Sequence, residues 1–255
     1  MNALQFFFIN KYYIEQEGLD IGFSLWSAPH LIWLVLMVLM IVFITRKYCR
    51  SSELGRDHMR KVIAIAMLVM EILKDTVVIA VGWWNPGYLP FHLCGLAIFA
   101  VMADAFYRGQ KLTGQMILFA FMPGALSALL FANWTMYPFY VYMCIHSFVY
   151  HALIVAYAVM SFASCEVVPT YKGLWKSVAA VVVTAIPVYF INLLFAEHNP
   201  NFMFLMEASP GSPLVPLWEI FGPDWYNLSM VGLIIIVFHV LFGLYWLIGR
   251  AMKRG

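Results

Sequence analysis

Long apolar stretches repeat along the whole chain and leave little polar sequence between them. Stretches of about 20 residues are long enough to cross the hydrocarbon layer of a membrane as helices. In that layer each segment must satisfy its own backbone hydrogen bonds, which a helix does. Only 11% of the residues are charged, whereas a soluble domain has about 25%. The chain is therefore predicted to be an all-α integral membrane protein.

Seven of these stretches are predicted to span the membrane, as one polytopic helix bundle that covers residues 1–255. The third stretch is the shortest and the most polar. Pro123-Gly124 and Pro187 predict local kinks in the fourth and sixth stretches, because proline removes a helix hydrogen bond. The predicted spans are residues 29–45, 62–81, 89–106, 113–131, 139–162, 174–195 and 227–249.

Lysine and arginine are concentrated in alternate connections between the predicted spans. Of the 15 such residues, only Lys11 and Lys74 fall elsewhere, and Lys74 lies within the second span. Connections rich in Lys and Arg remain on the cytoplasmic side, so we predict the N-terminus outside and the C-terminus inside. The basic residues on the predicted inner side are Arg46, Lys47, Arg50, Arg56, Arg60, Lys61, Arg108, Lys111, Lys172, Lys176, Arg250, Lys253 and Arg254.

The outer connection at 196–226 is longer than the others and is rich in proline, so a regular helix is not expected throughout it. It also carries the apolar run Phe202-Met203-Phe204-Leu205-Met206. Two interpretations remain open. The connection lies on the bilayer surface, or it forms a lid over a cavity in the outer leaflet.

The second predicted span contains three charged residues, Glu71, Lys74 and Asp75. Their spacing places them on one helix face, which is expected to point into the bundle because charges in the hydrocarbon layer are costly. One interpretation is an internal salt bridge that fixes helix packing. The other is a functional role, either as an acid that orients a histidine or as a proton-handling group.

A cysteine lies near the predicted start of the third span, in the stretch Leu89-Pro90-Phe91-His92-Leu93-Cys94. Free cysteine often packs as a small hydrophobe, but a helix N-terminus and a nearby base also favour a nucleophilic thiolate. His92 and Cys94 are two residues apart, about 200° around a regular helix, so they do not share a face there. They can approach each other only if His92 lies in an irregular first turn after Pro90.

Other polar residues are predicted in the outer half of the membrane, as Cys94 is. They are His30 at the start of the first span, His146 and His151 in the fifth, and Asn192 in the sixth. His146 and His151 are five residues apart, about 140° around a helix, so only one is expected to face Cys94. A lone membrane histidine is usually a packing residue, whereas several in the same half of the bilayer favour a functional site.

Short motifs distributed over most of the chain point to a family. They are Phe23-Ser24 with Pro29-His30-Leu31-Ile32-Trp33, LPFHLC at 89–94, Pro123-Gly124-Ala125, IHSFVYHALIV at 145–155, and Asn192 with NPNFMFL at 199–205. In these motifs the chain resembles the YwaF and transmembrane protein 164 family of multispan membrane proteins. The motif at 89–94 is the most specific of them, and Asn199-Pro200-Asn201 departs from the family's usual Asn-Tyr continuation.

The resemblance implies an activity as well as a fold. It implies transfer of a fatty acyl group between lipids through a cysteine, which maps here onto Cys94. The family is distantly similar to the androgen-induced and androgen-dependent membrane hydrolases, and this similarity implies His151 as the base. Asn192 and Asn199 are implied as supporting residues. A bacterial cell membrane is the expected location.

One hypothesis is thiol-dependent acyl transfer or hydrolysis on lipid esters at the outer leaflet. Cys94 attacks the ester carbonyl, while His151, or else His92 or His146, takes up the proton and returns it to the leaving alcohol. Backbone N–H groups at the start of the helix bind the oxyanion, and Glu71 or Asp75 orients the histidine. This chemistry requires no metal or cofactor. Membrane lipids are its expected partners, and no nucleic acid is expected.

Two other classes of function stay open. A metal-dependent membrane hydrolase could take ligands from the four histidines of the outer half and from the carboxylates of the second span. No HxxxH or HExxH motif supports that reading. A proton-coupled transporter could instead use the charged residues of the second span as its coupling site.

Overall fold

The computed structural model describes residues 3–9, 11–107 and 111–252, and every regular element in these ranges is helical. The all-α prediction is therefore confirmed. Arg108, Lys253 and Arg254, which belong to the predicted inner basic set, lie outside the described residues. The helices are α1 (Ala3–Phe7), α2 (Lys11–Gln16), α3 (Ala28–Arg50), α4 (Glu53–Ala80), α5 (Leu93–Phe106), α6 (Lys111–Met116), α7 (Met122–Leu130), α8 (Tyr142–Ala163), α9 (Tyr171–Leu194) and α10 (Val215–Met252).

Five helical stretches are long and apolar enough to cross a membrane. They are Ala28–Arg50, Lys111–Leu130, Tyr142–Ala163, Tyr171–Leu194 and Val215–Ala251. The other two predicted spans correspond to α4 and α5. Helix α4 is long but carries many charges, and α5 has 14 residues, which reach about 21 Å against about 30 Å of hydrocarbon. The structure therefore supports a multi-pass membrane protein with five clear candidate spans.

Helix α8 is the most deeply buried of the long helices and packs against α3, α4, α5 and α7. Its fully buried alanines, Ala152, Ala156 and Ala158, let neighbouring helices approach closely. On α3, the Trp33 ring stacks on Phe148 of α8 with centroids 5.1 Å apart. Most of the surface of α3 and α10 is apolar and uncovered by protein, as expected for helices that face lipid.

The helices differ in how they accommodate their prolines. The five residues Ile117–Phe121 form a π-helical turn that joins α6 to α7, just ahead of Pro123. Helix α9 continues through Pro187. Helix α10 begins at Val215 and breaks at Gly222, whose φ is +66°, immediately before Pro223. The long connection thus ends earlier than the prolines predict, because Pro216 lies in the first turn of a helix, where a missing N–H costs little.

An ion-pair network near the α3–α4 connection was not predicted from the sequence. Arg60 is 3% exposed, and its guanidinium lies 2.5 Å from Glu166 Oε2 and 3.2 Å from Asp57 Oδ1. The Tyr48 hydroxyl donates to the same Glu166 oxygen at 2.6 Å, and Arg56 lies 3.6 Å from the other oxygen. The network ties α3 and α4 to the connection between α8 and α9.

Candidate active site

The residues around Cys94 form an irregular turn followed by a regular helix. His92 precedes α5 in an extended conformation, with φ −68° and ψ 151°. His92 therefore lies outside the regular helix, which is the condition that the sequence sets for its approach to Cys94. Gly95 permits this turn, because a Cβ at Gly95 would lie 2.9 Å from the Pro90 carbonyl oxygen. Cys94 itself is half-buried in the first turn of α5.

His92 receives a backbone hydrogen bond from the long connection. The Met203 N–H donates to His92 Nδ1 at 3.3 Å. A nitrogen that accepts carries no proton, so the neutral ring holds its proton on Nε2. The rings of Phe202 and Phe204 flank the imidazole, with centroids 5.3 and 5.5 Å away. His92 is thereby presented as a donor through Nε2.

The connection reaches His92 because Asn192 holds it in place. Asn192 is 2% exposed, accepts from the Phe202 N–H at 2.7 Å and donates to the Phe202 carbonyl at 3.0 Å. Four residues in this connection have left-handed backbone conformations: Asn199, Asn201, Met203 and Phe204. Such conformations cost about 1–3 kcal/mol each for ordinary residues and persist only when the surroundings impose them. We call residues 199–204, held by Asn192, the latch.

Asn192→Ala is expected to destabilise the protein by about 2–4 kcal/mol, since it leaves a buried N–H and a buried carbonyl of Phe202 without partners. Unfolding in detergent measures this loss, and hydrogen exchange should increase at 199–204. Asn227→Ala is the matched control, because Asn227 Oδ1 is buried without a hydrogen bond. Equal effects of the two substitutions would contradict the claim that Asn192 holds the latch in place.

His151 has the opposite proton arrangement to His92. Its Nδ1 lies 2.6 Å from the Ser147 carbonyl oxygen, which can only accept, so Nδ1 carries the proton. The neutral ring therefore has a free lone pair on Nε2, as a general base requires. Trp134 stacks on the ring with centroids 4.9 Å apart and holds its orientation.

Tyr150, which the sequence reasoning missed, connects α8 to the turn that contains Cys94. Its hydroxyl donates to the Cys94 carbonyl at 3.3 Å, and its ring stacks on His146 with centroids 5.4 Å apart. Tyr150 directly precedes His151 in the motif at 145–155, and that adjacency was the available signal. Within the described residues, no hydrogen bond joins the Cys94 thiol to a histidine.

The charged residues of α4 pair with one another, as their spacing predicts. Lys74 forms ion pairs with Glu71 and, at 3.4 Å, with Asp75. Glu71 Oε2 also lies 3.6 Å from His146 Nε2. The carboxylate that the sequence offers as an orienting acid thus neighbours His146, whereas a backbone carbonyl orients His151.

His30 has both ring nitrogens engaged by main-chain groups. Its Nδ1 accepts from the Trp26 N–H at 3.0 Å, and its Nε2 donates to the Leu129 carbonyl at 3.0 Å. The fully buried ring therefore joins α3 to α7. Across the part of the chain that the structure describes, no group of three or more His, Cys, Asp or Glu residues is placed to hold a metal ion. Asn199, the other implied supporting residue, is the first residue of the latch and has a left-handed backbone conformation, with φ +44°.

Tyr12 and Asn85 connect the N-terminal segment to the turn that precedes α5. The Tyr12 hydroxyl donates to Asn85 Oδ1 at 2.8 Å, and the same oxygen accepts from the Gly87 N–H at 2.7 Å. Burial, with the Glu15 carboxylate, raises the pKa of Tyr12, so its hydroxyl remains protonated and able to donate. The N-terminal segment is thereby bound to the turn that leads into α5.

Comparison with known proteins adds one finding. A family model described as the TMEM164 family matches residues 23–245, which include Cys94 and the histidines at 30, 92, 146 and 151. No curated protein and no solved structure matches the chain. The match covers most of the chain and agrees with the motifs noted in its sequence.

Proposed function

The chain belongs to the TMEM164 family, and from that premise we propose that it is a lipid acyltransferase or lipid hydrolase that works through Cys94. The observation that carries the proposal is the opposite proton arrangement of two imidazoles. His92 offers an N–H, and His151 offers a lone pair. Acyl transfer through a thiol requires one group of each kind, a donor for the oxyanion and a base for the thiol.

The proposed reaction has two steps. In the first, the Cys94 thiol loses its proton to His151 Nε2, and the sulfur forms a bond to the ester carbonyl carbon. The His92 Nε2–H and the backbone N–H groups at the start of α5 stabilise the oxyanion. The ester C–O bond then breaks, and His151 returns the proton to the leaving alcohol. In the second step, a lipid hydroxyl or water attacks the thioester carbonyl carbon while His151 takes up its proton. The C–S bond then breaks, the acyl group leaves as a new ester or as fatty acid, and His151 returns the proton to the Cys94 sulfur.

The proposal includes the placement of the protein in the membrane. We place seven spans in the bilayer, including α4 and α5, with the N-terminus outside and the basic connections inside. This arrangement puts Cys94 in the outer half of a bacterial cell membrane, where lipid esters are the available substrates. Helix α4 is compatible with a span because Glu71, Lys74 and Asp75 pair within the bundle.

The test is mass spectrometry of mixed phospholipid vesicles that contain the purified protein. We expect the wild type to redistribute acyl chains or release fatty acid. Substitution by glutamine separates the two histidines, because glutamine keeps an N–H but is no base. His151→Gln and His151→Ala should both slow turnover by about 10²–10⁴-fold. His92→Ala should slow it by about 10²–10³-fold, and His92→Gln by clearly less.

The same experiment has outcomes that would overturn the proposal. A folded wild-type protein that neither redistributes acyl chains nor releases fatty acid would refute the activity. Retention of activity in His151→Gln, together with equal loss in both His92 variants, would reverse the assignment of donor and base. The matched control is His30→Gln, since both ring nitrogens of His30 are bonded to main-chain groups, so its loss should affect stability rather than turnover.

A further inference from the structure

A groove of about 600 Å³ lies at the end of α3 that leads into α4. Leu39, Val42 and Phe43 form its apolar part, and Arg46, Lys47 and Arg50 form its charged part. These six residues recur every three or four positions, so they lie on one face of the helix. Tyr48 lies on the opposite face and is fully buried against the bundle. The groove therefore opens away from the protein, toward the space that lipid fills.

The three cations of this groove differ from the other basic residues of the α3–α4 region. Arg56, Arg60 and Lys61 all pair with the carboxylates of Asp57 or Glu166. Within the ranges that the structure describes, no ion pair joins Arg46, Lys47 or Arg50 to a carboxylate. The groove thus holds three positive charges that the protein itself does not neutralise.

The order of residues along the helix matches one kind of ligand. The apolar residues lie toward the middle of α3, and the cations follow at its end, where a span meets the headgroup region. A phospholipid has the same polarity along its length, with acyl chains below an anionic phosphate. Cations next to the membrane surface attract anionic lipids, and arginine binds phosphate with two parallel hydrogen bonds.

From this match we propose that the groove binds an anionic phospholipid, with its headgroup on Arg46, Lys47 and Arg50 and an acyl chain against Leu39 and Phe43. The site is distinct from the candidate active site. All the residues that line the groove belong to α3 or directly follow it, and none belongs to α5, α8 or the latch. The proposal does not depend on the enzymatic activity, and it holds whichever way the protein is oriented in the membrane.

Lipid retention tests the proposal directly. The protein is reconstituted in vesicles of phosphatidylcholine and phosphatidylglycerol, extracted in mild detergent, and its retained lipids are quantified by mass spectrometry. We expect the wild type to retain phosphatidylglycerol in preference to phosphatidylcholine. The triple variant Arg46→Gln, Lys47→Gln, Arg50→Gln should retain on the order of tenfold less phosphatidylglycerol. Thermal stability should rise with added phosphatidylglycerol in the wild type but not in this triple variant.

The matched control removes three cations at the same end of the bundle but outside the groove, through Lys172→Gln, Lys176→Gln and Arg250→Gln. This control should keep the wild-type preference. Equal loss in both triple variants would show that general positive charge, and not the groove, attracts the lipid. Soluble glycerol phosphate should not raise the thermal stability, because it lacks the acyl chain; a rise equal to that with the lipid would overturn the proposal.

If the triple variant fails to fold, the single substitutions at 46, 47 and 50 carry the test. Each should lower phosphatidylglycerol retention by roughly two- to fivefold. Phe43→Ala, which keeps all three cations, should also lower it by removing part of the apolar wall. Wild-type retention in all four single variants would refute the site.

Discussion

Replacing Cys94 by alanine is expected to reduce acyl transfer at least about 10⁴-fold, to the background of the empty vesicles. The reason is chemical, since in the proposed mechanism the acyl intermediate forms on the Cys94 sulfur, which alanine lacks. The loss should appear in the rate of lipid turnover measured by mass spectrometry, while the unfolding transition changes little. Cys94→Ser should be almost as inactive, because a hydroxyl is a much weaker nucleophile than a thiol.

The control for this prediction is Cys49→Ala. Cys49 is half-buried, as Cys94 is, but it lies near the far end of α3. The same substitution there should leave turnover unchanged. Turnover by Cys94→Ala within threefold of the wild type would mean that the thiol only packs, and the two histidines would then have to act on water directly. A covalent acyl group on Cys94, trapped by rapid acid quench, would support the mechanism independently.

Glu166→Gln is expected to cost about 2–4 kcal/mol of unfolding free energy. The substitution removes the charge that faces Arg60, whose side chain is 4% exposed and cannot recover its solvation. Glu166 is 29% exposed, and Asp57 still pairs with Arg60, so the loss should fall below that for a fully buried pair. Chemical unfolding in detergent measures the change.

Glu15→Gln is the matched control for Glu166→Gln. The Lys11–Glu15 pair is 3.8 Å long and half-exposed on both sides, so its loss should cost less than about 0.5 kcal/mol. If the two substitutions cost the same, the ion pair of Arg60 with Glu166 contributes no more to stability than a surface ion pair does. Other contacts would then have to hold α4 to the α8–α9 connection.

The helices could be predicted from sequence because their signal is local. A run of apolar residues predicts a helix in a membrane whatever surrounds it, and the five clearest runs correspond to helices with the required length. Local spacing also predicts that Glu71, Lys74 and Asp75 meet, because they lie within one turn of α4. The irregular turn at His92 follows from Pro90 in the same local way.

The contacts of the candidate site could not be predicted, because they join distant parts of the chain. Met203 is 111 residues from His92, and Glu166 is 106 residues from Arg60. No periodicity links such pairs. The left-handed backbone at Met203 could not be predicted either, because methionine rarely adopts that conformation. Sequence reasoning could propose that His92 and His151 act near Cys94, but not which nitrogen of each ring holds the proton.

In His92 and His151 the proton positions are set by main-chain atoms, the Met203 N–H and the Ser147 carbonyl. Every residue except proline carries both groups, so the side chains at 147 and 203 are not needed for this purpose. Related sequences are thus free to diverge at these two positions while the imidazoles keep their roles. A search for the site in distant relatives should therefore follow the spacing of its histidines and the path of the backbone, and not the identity of their partners.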